Sequence, residues 1–394
     1  MGERGGPVRL RLWIVVAFSI ALVVIAGLRF GRADLAGTGV LATDDYYTWT
    51  SDDGRLVDHL NIDIAQYLSM VEDYRGVEGA FEKQEPYPAF EATGDAVKGP
   101  VDPFTSRVAL PWLASLLPLD ASFAFAAVNL AFLLLGLWLL VDALAVSGRS
   151  PAAQAVGAAL YTFALPVLMF ATALFIDGGV VGVLVVGYWL MCRRYWWALV
   201  VFFPISYLFK EAILVLVPAA VWAWRTTGHR FRDSRFVVGS LISALGVIGA
   251  ALWVGAIAPE PVYSFTVMPT WQFTRWNLTN PASAVFFAIG MSTVVVPALL
   301  ALRLLRVEQT WREILFGSSG ADLVGFCAVA LMNAYSIVST DLTLRTGWLI
   351  WPFAIGLAAV WVDRSTRVAD VITSRDDGSL SLAGGLRGST RPPR

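Results

Sequence analysis

Charged residues interrupt long apolar runs of this sequence, and their types suit the binding of an anionic group. Lys210 and Glu211 stand side by side in the apolar run 202–224, and Asp177 is the only charged residue of 150–192. A full charge at the centre of a bilayer costs roughly 2.5–3.5 kcal/mol, and such residues commonly mark functional sites. These three residues are therefore the first candidates for a site.

Other charged residues extend this candidate set. Arg345 follows Asp341 near the middle of the stretch between Arg312 and Arg364. Arg107 lies at the mouth of a short apolar segment, 103–119. Arginine can bind a phosphate through two parallel hydrogen bonds, whereas lysine offers a compact positive charge. We interpret three basic residues as candidate phosphate ligands: Arg107, Lys210 and Arg345. Three acidic residues are candidate acids or bases: Asp63, Asp177 and Glu211.

Each candidate also has a purely structural interpretation. Lys210 could pair with an acid to hold helices together, and Asp177 and Asp63 could cap the helices that they begin. Arg107 could bind lipid headgroups, and Arg345 could anchor a helix at the membrane surface. The sequence leaves both interpretations open for each residue.

The composition indicates which elements must position these side chains. Of the 394 residues, 57% are hydrophobic and 15% charged, and apolar runs recur along the whole chain. This composition is typical of a polytopic helical membrane protein. Cys192 and Cys327 lie in different contexts, beside two arginines and inside an apolar run, so we expect no disulfide between them. No Cys/His spacing typical of a metal site is present.

The arginines predict which loops are cytoplasmic. Basic clusters flank most apolar segments, and by the positive-inside rule they face the cytoplasm. They comprise Arg4, Arg9 and Arg11; Arg149; Arg193 and Arg194; Arg225, Arg230, Arg232 and Arg235; Arg303, Arg306 and Arg312; and the arginines of the tail after Arg364. The segment 31–105 holds 15 acidic and 5 basic residues, a net charge of −10, which predicts an extracytoplasmic loop.

The spacing between basic clusters predicts hairpins that rise and return. The stretch 195–224 has basic residues at both ends, so it must form two spans of about 15 residues, each rising roughly 22 Å. Its turn then lies at Lys210 and Glu211. Equivalent hairpins would raise Asp177, and Asp341 with Arg345, toward the same outer face. With single spans at 10–28, 121–144, 235–257 and 283–304, we predict about ten transmembrane helices with both termini in the cytoplasm.

The outer loops supply further candidates. Ile64, Tyr67, Leu68 and Val71 form one apolar stripe at helical spacing, which predicts an interfacial helix that Asp63 begins. The loop 258–282 contains Trp271 and Trp276, which could stack on a sugar or prenyl group. An aromatic belt at the membrane interface is the alternative interpretation of these tryptophans.

This layout resembles the GT-C fold of integral membrane glycosyltransferases. The resemblance rests on the first span, the long outer loop with the D-x-x-x-Y pattern of Asp63 to Tyr67, and the R-x-x-x-P pattern of Arg107 to Pro111. The stretches "FIDGG" and "LFKEA" also resemble elements of bacterial members. The resemblance implies that Asp63 is the catalytic base, although the pair Asp44 and Asp45 could fill this role instead.

The resemblance implies a polyprenyl-phosphate sugar donor and a glycan, lipid or protein acceptor at the outer face of a bacterial plasma membrane. No nucleic-acid partner is expected. The sequence specifies no cofactor, although acidic residues could hold a divalent cation. We expect a single domain over 1–373, with an extracytoplasmic loop at 31–105 and a disordered tail at 374–394. The alternative function is a transporter or flippase of a lipid-linked or anionic substrate, which would place its charges near the membrane midplane. A non-catalytic scaffold is the third possibility.

Overall fold

The structure, a computed structural model, describes only part of the chain. The described residues are 6–31, 47–50, 56–60, 62–82, 87–88, 96–97, 99–164, 167–168, 176–264, 271–279, 281–339 and 347–376. Several predicted residues lie outside these ranges: Asp44, Asp45, Asp341, Arg345 and the tail from 377 onward.

Helices dominate the described residues, as the composition predicts. They are α1 (Gly6–Gly31), α2 (Ile62–Asp73), α3 (Ala109–Ser115), α4 (Ala121–Val146), α5 (Pro151–Phe163), α6 (Asp177–Cys192), α7 (Trp196–Tyr207), α8 (Leu216–Thr226), α9 (Ser234–Ile257), α10 (Trp271–Thr279), α11 (Pro281–Glu308), α12 (Trp311–Phe316), α13 (Gly320–Ser339) and α14 (Trp351–Asp376). Two 3-10 segments, Glu211–Val215 and Trp348–Ile350, precede α8 and α14.

The described connections contain six short strands, which the sequence patterns do not predict. Strands β1 (Tyr47–Thr50) and β2 (Leu56–Leu60) are antiparallel, as are β3 (Tyr87–Pro88) and β4 (Ala96–Val97). Strands β5 (Val101–Asp102) and β6 (Tyr263–Ser264) are parallel. The last pair brings together two connections that are far apart in the sequence.

Among the described residues, five helices are long and apolar enough to cross a membrane. They include Val8–Leu28, Ala121–Val146, Ser234–Ile257, Phe287–Glu308 and Gly320–Ser339. Along α9 only Gly239 and Val254 are buried, and large side chains such as Leu245 and Leu252 face outward. An outward apolar surface on such a helix suits contact with lipid. The chain is thus a mainly helical membrane protein, while the number of ten spans stays a prediction.

The core forms where α4 packs along α6. A Cβ atom at Gly182 of α6 would lie 2.2 Å from the carbonyl oxygen of Phe132 in α4, so only glycine allows this approach. Tyr161 of α5 donates a hydrogen bond of 3.0 Å to the carbonyl of Leu133. Helix α14 packs against α5 and α11 around the same core. This packing fixes the position at which α6 begins.

Short helices occur where the sequence predicts hairpins. Helices α6 and α7 have 16 and 12 residues, and both are apolar. At 1.5 Å per residue they rise about 24 and 18 Å, which is less than the roughly 30 Å of a hydrocarbon core. Helix α7 ends at Tyr207, and the chain turns before the 3-10 segment Glu211–Val215.

Helix α2 differs from a helix that lies on a membrane surface. The predicted stripe from Ile64 to Val71 is buried, but so are the polar residues between its members. Every residue from 63 to 72 is buried, and α3, α4 and β1 pack against α2. A stripe identifies one buried face and cannot show that the opposite face is covered as well.

The last helix extends into the segment that was predicted to be a disordered tail. Helix α14 continues to Asp376, so residues 374–376 are helical. The domain boundary at residue 373 and the disorder of the tail stay predictions.

The predicted orientation can be tested by labelling single cysteines. In a background without Cys192 and Cys327, we introduce Glu78→Cys and Arg230→Cys at exposed positions of two connections. A membrane-impermeant maleimide added to intact cells should label position 78 and should reach position 230 only after the membrane is opened. Labelling of position 230 in intact cells, with position 78 protected, would contradict the orientation.

Candidate functional site

The loop before α3 is held in place by α2. The Nε2 of Gln66 donates to the carbonyl of Gly99 at 3.0 Å, and its Oε1 accepts from the backbone N–H of Val101 at 3.1 Å. A side-chain amide that makes both bonds fixes a chain segment nearly as a neighbouring strand does. The segment then pairs with β6, and the N–H of Val262 donates to the carbonyl of Pro100 at 2.9 Å.

Arg107 occupies the turn that follows this segment. Its Nη1 donates to the hydroxyl of Tyr67 at 3.2 Å, and its Nη2 donates to Oε1 of Glu211 at 3.1 Å. The neighbouring backbone reinforces the contact, because the N–H of Ala109 donates to the carbonyl of Leu208 at 3.0 Å. Arg107 thereby joins α2, the start of α3 and the turn after α7.

Aromatic packing holds the tyrosine partner of Arg107. The ring of Tyr67 stacks on Phe125 with the ring centroids 5.7 Å apart, and it meets Phe104 edge-on at 6.0 Å. Tyr67 is fully buried. Its hydroxyl is therefore presented to Arg107 from a fixed position.

A second ion pair lies beside the first. The Nζ of Lys210 is 3.5 Å from Oδ1 of Asp177, the first residue of α6. The side chains are 13% and 1% exposed, so this pair is buried. A carboxylate in the first turn of a helix is also favoured by the helix dipole. The N–H of Gly179, two residues further on, donates to Oδ1 of Asn129 at 2.8 Å, which ties the start of α6 to α4.

Four of the predicted residues thus form two adjacent ion pairs, because Lys210 and Glu211 are neighbours in the chain. The two partners of the first pair differ in exposure: the Glu211 side chain is 48% exposed, whereas that of Arg107 is 10% exposed. The Nε of Arg107 is buried and has no hydrogen-bond partner among the described residues. Arg107 therefore retains an unused donor beside a carboxylate that solvent can reach.

Asp102 is a further acid at this cluster, and it is not among the residues that the sequence predicts. Burial raises the pKa of its carboxyl; the nearby Arg107 opposes this shift, and Glu211 adds to it. A raised pKa suits a group that must accept a proton near neutral pH. No sequence motif surrounds Asp102. It becomes a candidate only in the fold, because β5 leads into the turn that contains Arg107.

The remaining predicted residues do not belong to the two ion pairs. Asp63 is buried in the first turn of α2, one helical turn before Tyr67, so both lie on the same face of the helix. Trp271 and Trp276 belong to α10, which packs against α11 and α13. The side chain of Trp271 is 76% exposed. Arg345 lies outside the described residues.

The described side chains contain no group of three or more His, Cys, Asp or Glu residues that could hold a metal ion. The sequence matches no protein-family model, and no curated protein shows significant similarity to it. The geometry of the cluster is therefore the basis for a functional hypothesis.

Substitutions of the buried pair should show how strongly its two charges depend on each other. Removal of one partner from a buried pair typically costs about 3–5 kcal/mol, whereas removal of both can be nearly neutral. We expect Asp177→Asn and Lys210→Met each to lower the thermal unfolding temperature in detergent, and the double variant to recover most of the loss. Additive losses in the double variant would show that the two side chains do not stabilise each other.

Proposed function

We propose that this protein is a GT-C-type membrane glycosyltransferase that moves a sugar from a polyprenyl-phosphate donor to a glycan, lipid or protein acceptor. The observation that carries the proposal is the convergence of Arg107 and Lys210 with Asp177 and Glu211 at the ends of short apolar helices. The sequence resemblance to the GT-C fold adds the reaction type.

The cations of the cluster have the properties that a lipid phosphate requires. Arg107 has a buried Nε donor that meets no acceptor in the described part of the chain, and its carboxylate partner, Glu211, is half exposed. A donor phosphate could displace Glu211 and accept hydrogen bonds from the guanidinium, with the Lys210 charge close by. Hydrogen bonds between a guanidinium and a phosphate are among the stronger ones in proteins. We propose that this exchange is how the donor binds.

The reaction also needs a carboxylate base. The base takes the proton of an acceptor hydroxyl, whose oxygen then attacks the anomeric carbon of the sugar. The bond between this carbon and the phosphate oxygen breaks, and its electron pair leaves with the polyprenyl phosphate. Nearby cations favour this step because they stabilise the charge on the departing phosphate.

Two carboxylates are candidates for the base. The resemblance favours Asp63, which shares a helix face with Tyr67 and so with the contact to Arg107. The geometry adds Asp102, whose pKa is raised by burial. We retain Asp63 as the proposed base and use Asp102 as the competing candidate in the experiment.

The proposed location is the outer face of a bacterial plasma membrane. The positive-inside rule predicts this orientation, and nucleotide sugars are absent from that side of the membrane. A lipid-carried donor is therefore the consistent choice. The charges lie where α6 begins and between α7 and α8. A transporter would be expected to show paired repeats, and the two halves of this sequence do not resemble each other, which favours an enzyme.

Transfer activity and donor binding of purified variants test the proposal. Arg107→Gln should weaken donor binding at least about tenfold, because a hydrogen bond to a charged group contributes about 1.5–3 kcal/mol. Glu211→Gln should bind the donor at least as tightly as the parent protein, because it removes the competing carboxylate. The readouts are radiolabelled sugar transfer from a polyprenyl-phosphate sugar and binding of the same donor.

The matched control is Arg193→Gln. Arg193 forms a comparable ion pair with Asp142 at the opposite end of α6, so its loss should affect stability without affecting donor binding. Unchanged binding and transfer in a folded Arg107→Gln variant would contradict the proposal. Movement of the donor across liposomes without sugar transfer would identify a flippase instead.

The same assay separates the two candidate bases. Loss of a general base typically slows turnover about 10²- to 10⁴-fold, and replacement of Asp by Asn keeps its shape. We expect this loss in Asp63→Asn, with nearly unchanged donor affinity, and a smaller effect in Asp102→Asn. The reverse pattern would assign the role to Asp102.

A further inference from the structure

A second site lies at the end of the hairpin opposite to the charged cluster. Helices α7, α8 and α9 enclose a groove of about 940 Å³ that is lined mainly by apolar side chains. Its polar end lies at the two connections that precede α7 and α9, whereas Lys210 and Glu211 lie at the other end of α7. Small-molecule pockets measure roughly 300–1,000 Å³, so this groove can hold a sizeable apolar ligand.

Close contacts with α7 fix the position of α9 at one side of the groove. A Cβ atom at Gly246 would lie 2.5 Å from Cγ of Pro204, and one at Gly239 would lie 3.1 Å from a methyl group of Val200. The two helices therefore approach each other along a line of small residues. Other side chains of α9, among them Ser240 and Ala244, line the groove beside this contact.

Aromatic side chains build the polar end of the groove. The ring of Trp224 stacks on His229 with the ring centroids 4.3 Å apart and meets Trp196 edge-on at 5.2 Å. Trp224 is buried, so this cluster is part of the packed structure. Tryptophan rings are typical of the level at which lipid headgroups meet hydrocarbon.

Positive charge is in excess at this end. Arg194 and Arg235 line the groove together with His229, and no acidic residue is among its lining residues in the described part of the chain. Asp233 lies nearby, where its Oδ1 accepts from the backbone N–H of Arg235 at 3.0 Å. Both arginines are exposed: Arg194 lies in the connection before α7 and Arg235 in the first turn of α9. A positive opening above an apolar channel complements a molecule with a negative head and a hydrocarbon tail.

We propose that this groove binds one anionic phospholipid, with an acyl chain between α8 and α9 and the headgroup phosphate at Arg194 and Arg235. The occupant follows from the combination of an apolar interior, a tryptophan-lined opening and an excess of positive charge. The proposal does not depend on the proposed function, because no residue of the groove belongs to the charged cluster around Arg107.

Native mass spectrometry of the delipidated full-length protein tests this inference. The probes are phosphatidylglycerol and phosphatidylcholine with identical acyl chains, which differ in net charge. We expect phosphatidylglycerol to bind at least about tenfold more tightly, and the double variant Arg194→Gln/Arg235→Gln to bind both lipids equally. Equal binding of both lipids by the parent protein would overturn the proposal.

Two further variants test the position of the lipid. Ala244→Phe fills the groove and should weaken the binding of both lipids; Ser240→Leu serves the same purpose if the first variant does not fold. The control Arg303→Gln/Arg312→Gln removes two exposed arginines near a different connection and should leave binding unchanged. The inference fails if this control loses as much affinity as the Arg194/Arg235 variant, or if the groove-filling variant binds lipid normally.

Discussion

The pairing of buried charge is the constraint on which the rest of this structure depends. Arg107 is almost completely enclosed, yet it makes hydrogen bonds to Tyr67, 40 residues earlier, and to Glu211, 104 residues later. A buried guanidinium without such partners would be strongly unfavourable. Helix α2, the start of α3 and the turn after α7 must therefore meet at this point. The position of Glu211, and of its neighbour Lys210, follows from that meeting.

Ion pairs fix both ends of helix α6. At its first residue, Asp177 pairs with Lys210. At the other end, Nε of Arg193 donates to Oδ2 of Asp142 at 2.9 Å, and the indole N–H of Trp189 donates to the same oxygen at 2.7 Å. A short apolar helix fixed at both ends cannot slide along its neighbour α4. Asp177 is thereby kept at a constant height relative to Arg107.

Much of the fold could be predicted from the sequence, because apolar runs and arginine clusters report directly on helices and their ends. The prominence of Asp177, Lys210 and Glu211 was also visible, since charges are rare in such runs. Their partners were not, because the contact between Arg107 and Glu211 depends on tertiary packing. Asp102 has no local signal, and it becomes a candidate only because β5 and the following turn bring it near Arg107.

Two features of the structure could not be predicted from the sequence, for physical reasons. The periodic stripe of α2 identifies one buried face, but the neighbouring elements bury the other faces as well. The helix α14 continues past residue 373, because a polar segment can prolong a helix that packing has already begun. Sequence periodicity reports on the residues of one element, whereas both of these features depend on what surrounds or precedes it.

Photo-crosslinking of the donor tests the central claim most directly. A polyprenyl-phosphate sugar with a diazirine on its first isoprene unit should label residues near Arg107 and the turn after α7, within about 103–111 and 207–211. Excess unlabelled donor should compete for this labelling, and the Arg107→Gln substitution should abolish it. Labelling confined to other parts of the chain, or labelling of these peptides that does not change in the variant, would contradict the assignment of this cluster as the donor phosphate site.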